Sequence, residues 1–196
     1  MRVSVIIPAK NEERSIGEVI KKVKRYAWEV LVVDGHSKDR TREIAHKTGA
    51  KVILDGGLGK GEAIRRAVRE SRGEILVFID ADGSHEPRDI PFLVDPIEKG
   101  EADLVIASRI LGGSDELSGS IEKTLRLLGT LLINFLIRLR FGKKLTDSQN
   151  GFRAIKKEVM EKLDLKENIT TVEQEMVIKV LKKNYKIKEV SSHEYA

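Results

Sequence analysis

Hydrophobic residues fall along the first half of this chain in short continuous runs, and the segments between them carry helical periodicity. Residues 3–8, Val-Ser-Val-Ile-Ile-Pro, read as a buried strand. Ile16, Val19, Ile20 and Val23 then repeat at the spacing of one helix face, so a helix is expected over 12–26 with Asn11 as its cap. A second strand follows over 29–34, then a short helix begun by Ser37 or Asp39 and ended by Gly49, then a third strand over 50–54. Gly59-Lys60-Gly61 opens a helix that runs to about Ser71. Residues 74–79 form a fourth strand, Pro87 marks the start of another helix, and 102–107 form a fifth strand. Strands that are apolar throughout and separated by helices indicate a mostly parallel sheet covered on both faces.

The second half has a different texture. Residues 115–141 read as one long helix or a broken pair, with Leu125, Leu127, Leu128, Leu131, Leu132, Phe135, Leu136 and Leu139 interrupted by Arg126, Asn134, Arg138 and Arg140. The charges make it too polar for a membrane span. Two placements remain open: a core helix with cationic edges, or a helix lying in a membrane interface. Residues 146–154 form a loop leading into a short strand, helices are expected over 156–163 and 171–184, and a last strand over 186–190. No repeat or linker divides the chain, so a single α/β domain is expected over 1–196.

Composition narrows the chemistry. Among 196 residues there is no cysteine, which excludes disulfides, a thiolate zinc site and a cysteine nucleophile. The net charge of +5 suits an anionic substrate or membrane surface, and nothing points to nucleic acid. The chain opens directly on a strand with no signal-peptide pattern, so a cytoplasmic location is expected.

Three strand ends carry polar groups, and loops after neighbouring parallel strands meet at one sheet edge, where ligands bind. The fourth strand runs into Asp80-Ala81-Asp82. In an extended chain residues i and i+2 point the same way, so both carboxylates can converge on one Mg²⁺ or Mn²⁺. The plainer alternative is one Asp capping the next helix and the other solvated. The first strand ends in Pro8-Ala9-Lys10-Asn11-Glu12 and the second in Asp34-Gly35-His36-Ser37. Asp34 can accept hydrogen bonds from a base or ribose, or can cap the next turn. Gly59-Lys60-Gly61 looks like a phosphate cradle, but without the P-loop spacing it is equally a plain helix start.

In this order the motifs resemble those of the family-2 inverting glycosyltransferases, and most of all its polyprenyl-phosphate branch, the dolichol-phosphate mannose synthases. Pro8-Ala9-Lys10-Asn11-Glu12 is similar to the family's Pro-x-x-Asn-Glu, and Asp34, Ser37, Asp39 and Thr41 match its second motif, with Gly35, His36 and Arg40 departing from it. Asp80-Ala81-Asp82 stands for its Asp-x-Asp, followed by His85 and Pro87. Ala107-Ser108-Arg109, the segment from Thr146 through Asp147 to Gly151-Phe152-Arg153, and Glu173-Gln174-Glu175-Met176 extend the likeness across nearly the whole chain. Ser84 stands where the branch often has Gln, and the branch's basic Gly-x-Ser-Lys stretch is not in the sequence, which stops at Tyr195-Ala196.

The resemblance implies a GT-A-type fold, a nucleotide-sugar half at 1–108 and an acceptor half at 109–196. It implies a metal-dependent hexosyltransferase that takes a nucleotide-diphospho-sugar, of the GDP-mannose or UDP-glucose kind, and a polyprenyl (dolichyl) phosphate at the inner face of the cell membrane. Pro8, Ala9, Asn11, Glu12 and Asp34 would hold the nucleoside, and Lys60 would reach the base or a phosphate. Asp80 and Asp82 would bind Mg²⁺ or Mn²⁺, with Ala81 beside the donor and Asp82 in the reaction centre. Arg109, Arg126 and Arg153 would position the lipid phosphate. A soluble hydroxyl acceptor would instead need a base, for which Asp147 is the candidate. On the late helix Glu175 is favoured over Glu173. A sugar nucleotidyltransferase fits less well, because residues 8–12 carry none of its glycines. A response-regulator receiver fits less well too, because Pro8 and Asp55-Gly56 do not supply its acidic pattern.

Overall fold

The computed structural model describes residues 1–115 and 121–195, and for residues 121–127 the backbone alone. Seven strands form one sheet in the order β3-β2-β1-β4-β6-β5-β7. The strands are β1 (Val3–Ala9), β2 (Glu29–Asp34), β3 (Lys51–Leu54), β4 (Ile75–Phe78), β5 (Leu104–Ser108), β6 (Arg153–Lys156) and β7 (Ile187–Ser191). All neighbours pair in parallel except β6, which runs antiparallel between β4 and β5. This is the expected mostly parallel sheet.

Eight α-helices accompany the strands in the described residues: α1 (Ile16–Val23), α2 (Thr41–Lys47), α3 (Lys60–Glu70), α4 (Ile90–Glu98), α5 (Arg109–Gly112), α6 (Ile121–Phe141), α7 (Lys157–Lys162) and α8 (Val172–Lys182). The sheet separates two cores. On one face Val5, Ile7, Val32 and Val77 pack with Ile16, Ile20, Leu93 and Ile97. On the other Ile6, Leu31, Leu76 and Ile106 pack with Ile64, Val68, Met176 and Val180. Alternate residues of one strand therefore serve opposite cores, which is why β1 and β4 carry no solvent-facing polar side.

Strand order reverses direction at β1, with β2 and β3 to one side and β4 to the other. A crevice outside the strand carboxyl ends is expected at that switch point.

Helix α1 starts at Ile16, not at Glu12, and Asn11 does not cap it. Asn11 adopts the left-handed conformation at φ 58°, tolerated by asparagine, because its side-chain oxygen accepts from Lys38 N at 2.8 Å and its own N–H donates to Ser37 Oγ at 2.9 Å. Cross-links between the first two strand ends override the local helical pattern there.

Helix α6 is continuous, but its sides are reversed relative to an ordinary surface helix. Thr130, Asn134 and Ile137 are buried, while Leu128, Leu131, Leu132, Phe135, Leu136 and Leu139 are 47–67% exposed. No helix among the described residues is long and apolar enough to cross a membrane.

Candidate active site

The ends of β1, β2 and β3 meet the start of α3 around a cavity of about 410 Å³. Pro8, Ala9, Gly35, Asp55, Lys60 and Asp80 line it, as does Leu58, whose 61% exposure gives the rim an apolar edge. Of the residues expected to hold a donor, Pro8, Ala9, Lys60 and Asp80 thus come together.

Asn11, Glu12 and Asp34 do not line the cavity. Glu12 N donates to Thr41 Oγ1 at 2.7 Å, and its carboxylate accepts from Ser15 Oγ at 3.1 Å, so Glu12 joins Asn11 in fastening the β1 loop to the β2 loop. Asp34 is fully buried behind the wall. Its Oδ2 accepts from Ser37 N at 3.0 Å and lies 3.5 Å from Arg42 Nε, whereas its Oδ1 is buried without a partner. A buried acceptor left idle is costly, and it is this oxygen that suits an incoming N–H or O–H.

The extended geometry expected for Asp80-Ala81-Asp82 is replaced by a turn. Strand β4 ends at Phe78 and the chain turns through 81–83, so the two carboxylates face different partners. Asp80 Oδ1 accepts from Lys60 Nζ at 2.7 Å, and its Oδ2 lies 3.6 Å from His85 Nε2. The same Lys60 ammonium lies 2.9 Å from Glu173 Oε1. Burial alone would raise the Asp80 pKa, but the His85 imidazole and the Lys60 ammonium outweigh it and hold Asp80 well below the usual carboxylate range. Burial likewise disfavours the Lys60 cation, and the Asp80 and Glu173 carboxylates reverse this and raise its pKa. A Cβ at Gly151 would stand 2.6 Å from Asp80 Oδ2 and 3.1 Å from Lys60 Nζ, so a side chain there would displace the Asp80 carboxylate.

Ala81 points into the core packed against α1 and is 3% exposed, so its side chain does not meet a donor. Asp82 is exposed, with Oδ1 accepting from Ser84 N at 2.9 Å and Ser84 Oγ at 2.7 Å. Ser84 therefore occupies the carboxylate and offers no independent ligand. The donor set nonetheless suits a divalent cation: Asp80 is held ionised and Asp82 is open to solvent. No group of three or more His, Cys, Asp or Glu side chains that could hold a metal is found among the described residues. Water and substrate phosphate would complete the shell, as Mg²⁺ commonly arranges.

On the side expected to take the acceptor, Arg109 and Asp147 meet as a fork. Arg109 Nε donates to Asp147 Oδ2 at 2.6 Å and its Nη2 to Oδ1 at 3.0 Å, with the Arg109 backbone N–H 3.1 Å from Oδ2. Glu194 lies 3.3 Å from the other terminal nitrogen. Burial would lower the Arg109 pKa, and the Asp147 and Glu194 carboxylates raise it instead, so the charge is permanent. Asp147 is 1% exposed with both oxygens engaged, which leaves it poorly placed to take a proton from a hydroxyl. Glu189 holds the same loop by accepting from Thr146 N at 2.8 Å and Asp147 N at 2.7 Å. Asn134 of α6 reaches it too, donating to Thr146 O at 2.5 Å and accepting from Ser148 Oγ at 2.6 Å.

Two expected substrate contacts are corrected. Arg153 is fully buried, and its guanidinium donates to the backbone carbonyls of Ser148, Asn150 and Glu173. It ties the loop of residues 146–152 to α8 and is enclosed away from any lipid phosphate. Glu175 accepts from Lys166 N and Glu167 N, each at 2.9 Å, and pairs with Lys179 at 2.7 Å, so it anchors a loop. Glu173, the less favoured of the two, is the one at the site. Arg126 lies outside the described side chains. Asp55 is the wall residue that strand-end logic could have found, since it follows β3 as Asp34 ends β2. Glu189 and Glu194 carry no local signal.

Comparison with known proteins agrees with this arrangement. The family model described as glycosyl transferase family 2 matches residues 4–164. A dolichyl-phosphate hexose transferase of Haloferax volcanii is 32% identical over 190 residues, 95% of this chain and 80% of that protein. A dolichol-phosphate mannosyltransferase of Pyrococcus furiosus is 33% identical over 174 residues, 84% of this chain but 49% of that protein, so the chain spans about half of this relative's length. The crystal structure of glucosyl-3-phosphoglycerate synthase from Mycobacterium tuberculosis, in complex with Mn²⁺, UDP and glucosyl-3-phosphoglycerate, superimposes with a TM-score of 0.78 at 25% identity, covering 98% of this chain and 70% of that one. That enzyme has also been crystallised with Mg²⁺ and UDP. A mostly parallel sheet with its cavity outside the ends of β1, β2 and β3, an acidic turn beside that cavity, and a match over residues 4–164 together make this chain a member of glycosyltransferase family 2.

Proposed function

We propose that this chain transfers a hexose from a nucleotide-diphospho-sugar to a polyprenyl phosphate at the cytoplasmic face of a membrane, with inversion at the anomeric carbon. The observation that carries the lipid acceptor is α6. Its outward face presents six large apolar side chains, and its inward face is bonded through Asn134 to the loop that holds Asp147. A surface suited to the headgroup boundary is thereby fastened to the acceptor side of the site.

The nucleoside lies in the cavity walled by Pro8, Ala9 and Asp55, with Leu58 covering it and the idle oxygen of Asp34 behind. Asp80 and Asp82 would hold Mg²⁺ or Mn²⁺, which would supply charge neutralisation for the departing nucleoside diphosphate. A phosphomonoester, with its second pKa near about 6, is largely ionised at neutral pH and needs no base. Its oxygen attacks the anomeric carbon as the bond to the donor phosphate breaks, and that electron pair leaves on the diphosphate. Arg109 is the cation at this side, oriented by Asp147 and Glu194. The saturation of Asp147 by Arg109 argues against a hydroxyl acceptor with Asp147 as base. The donor residues fall mainly within 1–108 and the acceptor residues within 109–196.

The deciding experiment incubates the purified chain with radiolabelled GDP-mannose or UDP-glucose and Mn²⁺, offering dolichyl phosphate in vesicles or 3-phosphoglycerate in solution. Organic-extractable label that depends on dolichyl phosphate is expected. Transfer to the soluble acceptor with none to the lipid overturns the reading.

A further inference from the structure

Lys60 lies between two carboxylates that do different work. Its ammonium is 2.7 Å from Asp80 Oδ1 and 2.9 Å from Glu173 Oε1. Asp80 is a cation ligand in the reading above, on which this inference rests. A dication and an ammonium cannot share Asp80 Oδ1 without strong repulsion, so metal entry has to move Lys60 off that oxygen. An ammonium displaced into this partly buried crevice without a counter-charge would pay heavily for desolvation.

Glu173 is built to receive it. The carboxylate is 4% exposed, and its second oxygen, Oε2, is buried with no hydrogen-bond partner. An ammonium has three donors, so Glu173 has spare acceptor capacity that Lys60 can fill. The position of Glu173 is itself fixed, because buried Arg153 donates to its backbone carbonyl at 3.0 Å. Gly151 leaves no side chain to prop Lys60 against Asp80.

We infer that Glu173 is a positioning residue that draws Lys60 from Asp80 when the divalent cation binds, and so sets the affinity of the acidic turn for that cation. The ammonium then remains paired beside the cavity, where a donor diphosphate can also meet it.

The test reads Mn²⁺ binding directly, by the electron paramagnetic resonance signal of the free ion, with no sugar donor present. Wild type, E173Q, K60M, the E173Q/K60M double variant and D82A are compared as the full chain, each shown to be folded by its melting curve. E173Q is expected to weaken Mn²⁺ binding by about tenfold or more, the scale on which one neighbouring charge acts on a carboxylate. K60M removes the competitor, so adding E173Q to it is expected to cost nothing further. Unchanged Mn²⁺ binding in E173Q overturns the inference, as does an E173Q loss that persists in the K60M background. D82A separates the two levels: its loss of Mn²⁺ beside a silent E173Q defeats this inference alone. If D82A binds Mn²⁺ like wild type, the metal reading falls and the inference falls with it.

Discussion

Replacing Arg153 with methionine tests whether this residue of the Gly-Phe-Arg segment is a structural tie or a substrate contact. Arg153 is 1% exposed, and its guanidinium donates to Asn150 O at 2.9 Å, Glu173 O at 3.0 Å and Ser148 O at 3.2 Å. Methionine fills a similar length but leaves three carbonyls without that donor. At about 1 kcal/mol for each bond the loss is about 3 kcal/mol. Removing a buried cation returns part of that through relief of desolvation, so a net cost of about 2 kcal/mol is expected. For a domain of this size that corresponds to a melting temperature lowered by about 4–8 °C. R153K should fare little better, because an ammonium cannot fork to three fixed carbonyls. The assay is differential scanning calorimetry, paired with acceptor KM measured well below the transition. An unchanged melting temperature combined with a raised acceptor KM would refute the structural assignment and return Arg153 to the substrate.

Three further outcomes are expected. Asp34→Asn should raise the donor KM with little change in kcat, because the buried Oδ1 serves binding; steady-state kinetics showing a pure kcat loss would place it in the transition state instead. Leu132→Glu with Leu136→Glu should reduce vesicle flotation by about two orders of magnitude, at about 1.5 kcal/mol for each leucine, while leaving the melting temperature alone because both are already more than half exposed. Burial disfavours ionised Asp103, but Lys156 and the Lys186 amide outweigh it and depress its pKa. The unfolded chain then binds more protons, so this contribution is complete above about pH 4 and is lost as pH falls through the depressed folded value. Asp103→Asn should accordingly flatten the acid side of a stability–pH curve, and a curve parallel to wild type would count against the pairing.

The sheet was legible in the sequence because its strands are unbroken apolar runs, and that pattern survives any detail of packing. The meeting of Pro8, Lys60 and Asp80 at one cavity was legible because all three sit at strand or helix ends, where topology decides position. Asn11 and Glu12 turn away from the cavity because their partners, Ser37 and Thr41, come from the next loop and helix, which local pattern does not reveal. Choosing between Glu173 and Glu175 needed the phase of α8 against Lys60, which periodicity alone does not supply. Arg153 looked like a phosphate ligand because an arginine in a polar loop usually is exposed, and only the three-dimensional path of residues 148–153 shows it enclosed. The exposed apolar side of α6 could not be told from a core-facing side, since leucines serve both.

Strand β6 also governs the order in which the molecule can be put together. Among the described strands β4 and β5 are not neighbours, and within the sheet the four residues of β6 join the β3-β2-β1-β4 group to the β5-β7 pair. On the ribosome the first four strands can assemble as soon as Phe78 has emerged, whereas β5 has no sheet partner until Arg153–Lys156 follows. The register that closes the gap, Ile75 with Lys156, spans a long loop whose closure entropy is met late in folding. The half that holds the cavity at the ends of β1, β2 and β3 is therefore expected to be the early folding unit. The loop that carries Gly151 to Asp80, and Asp147 to Arg109, arrives with that closure, and Glu173, Glu189 and Glu194 follow it in the chain, so the complete site is expected to form late.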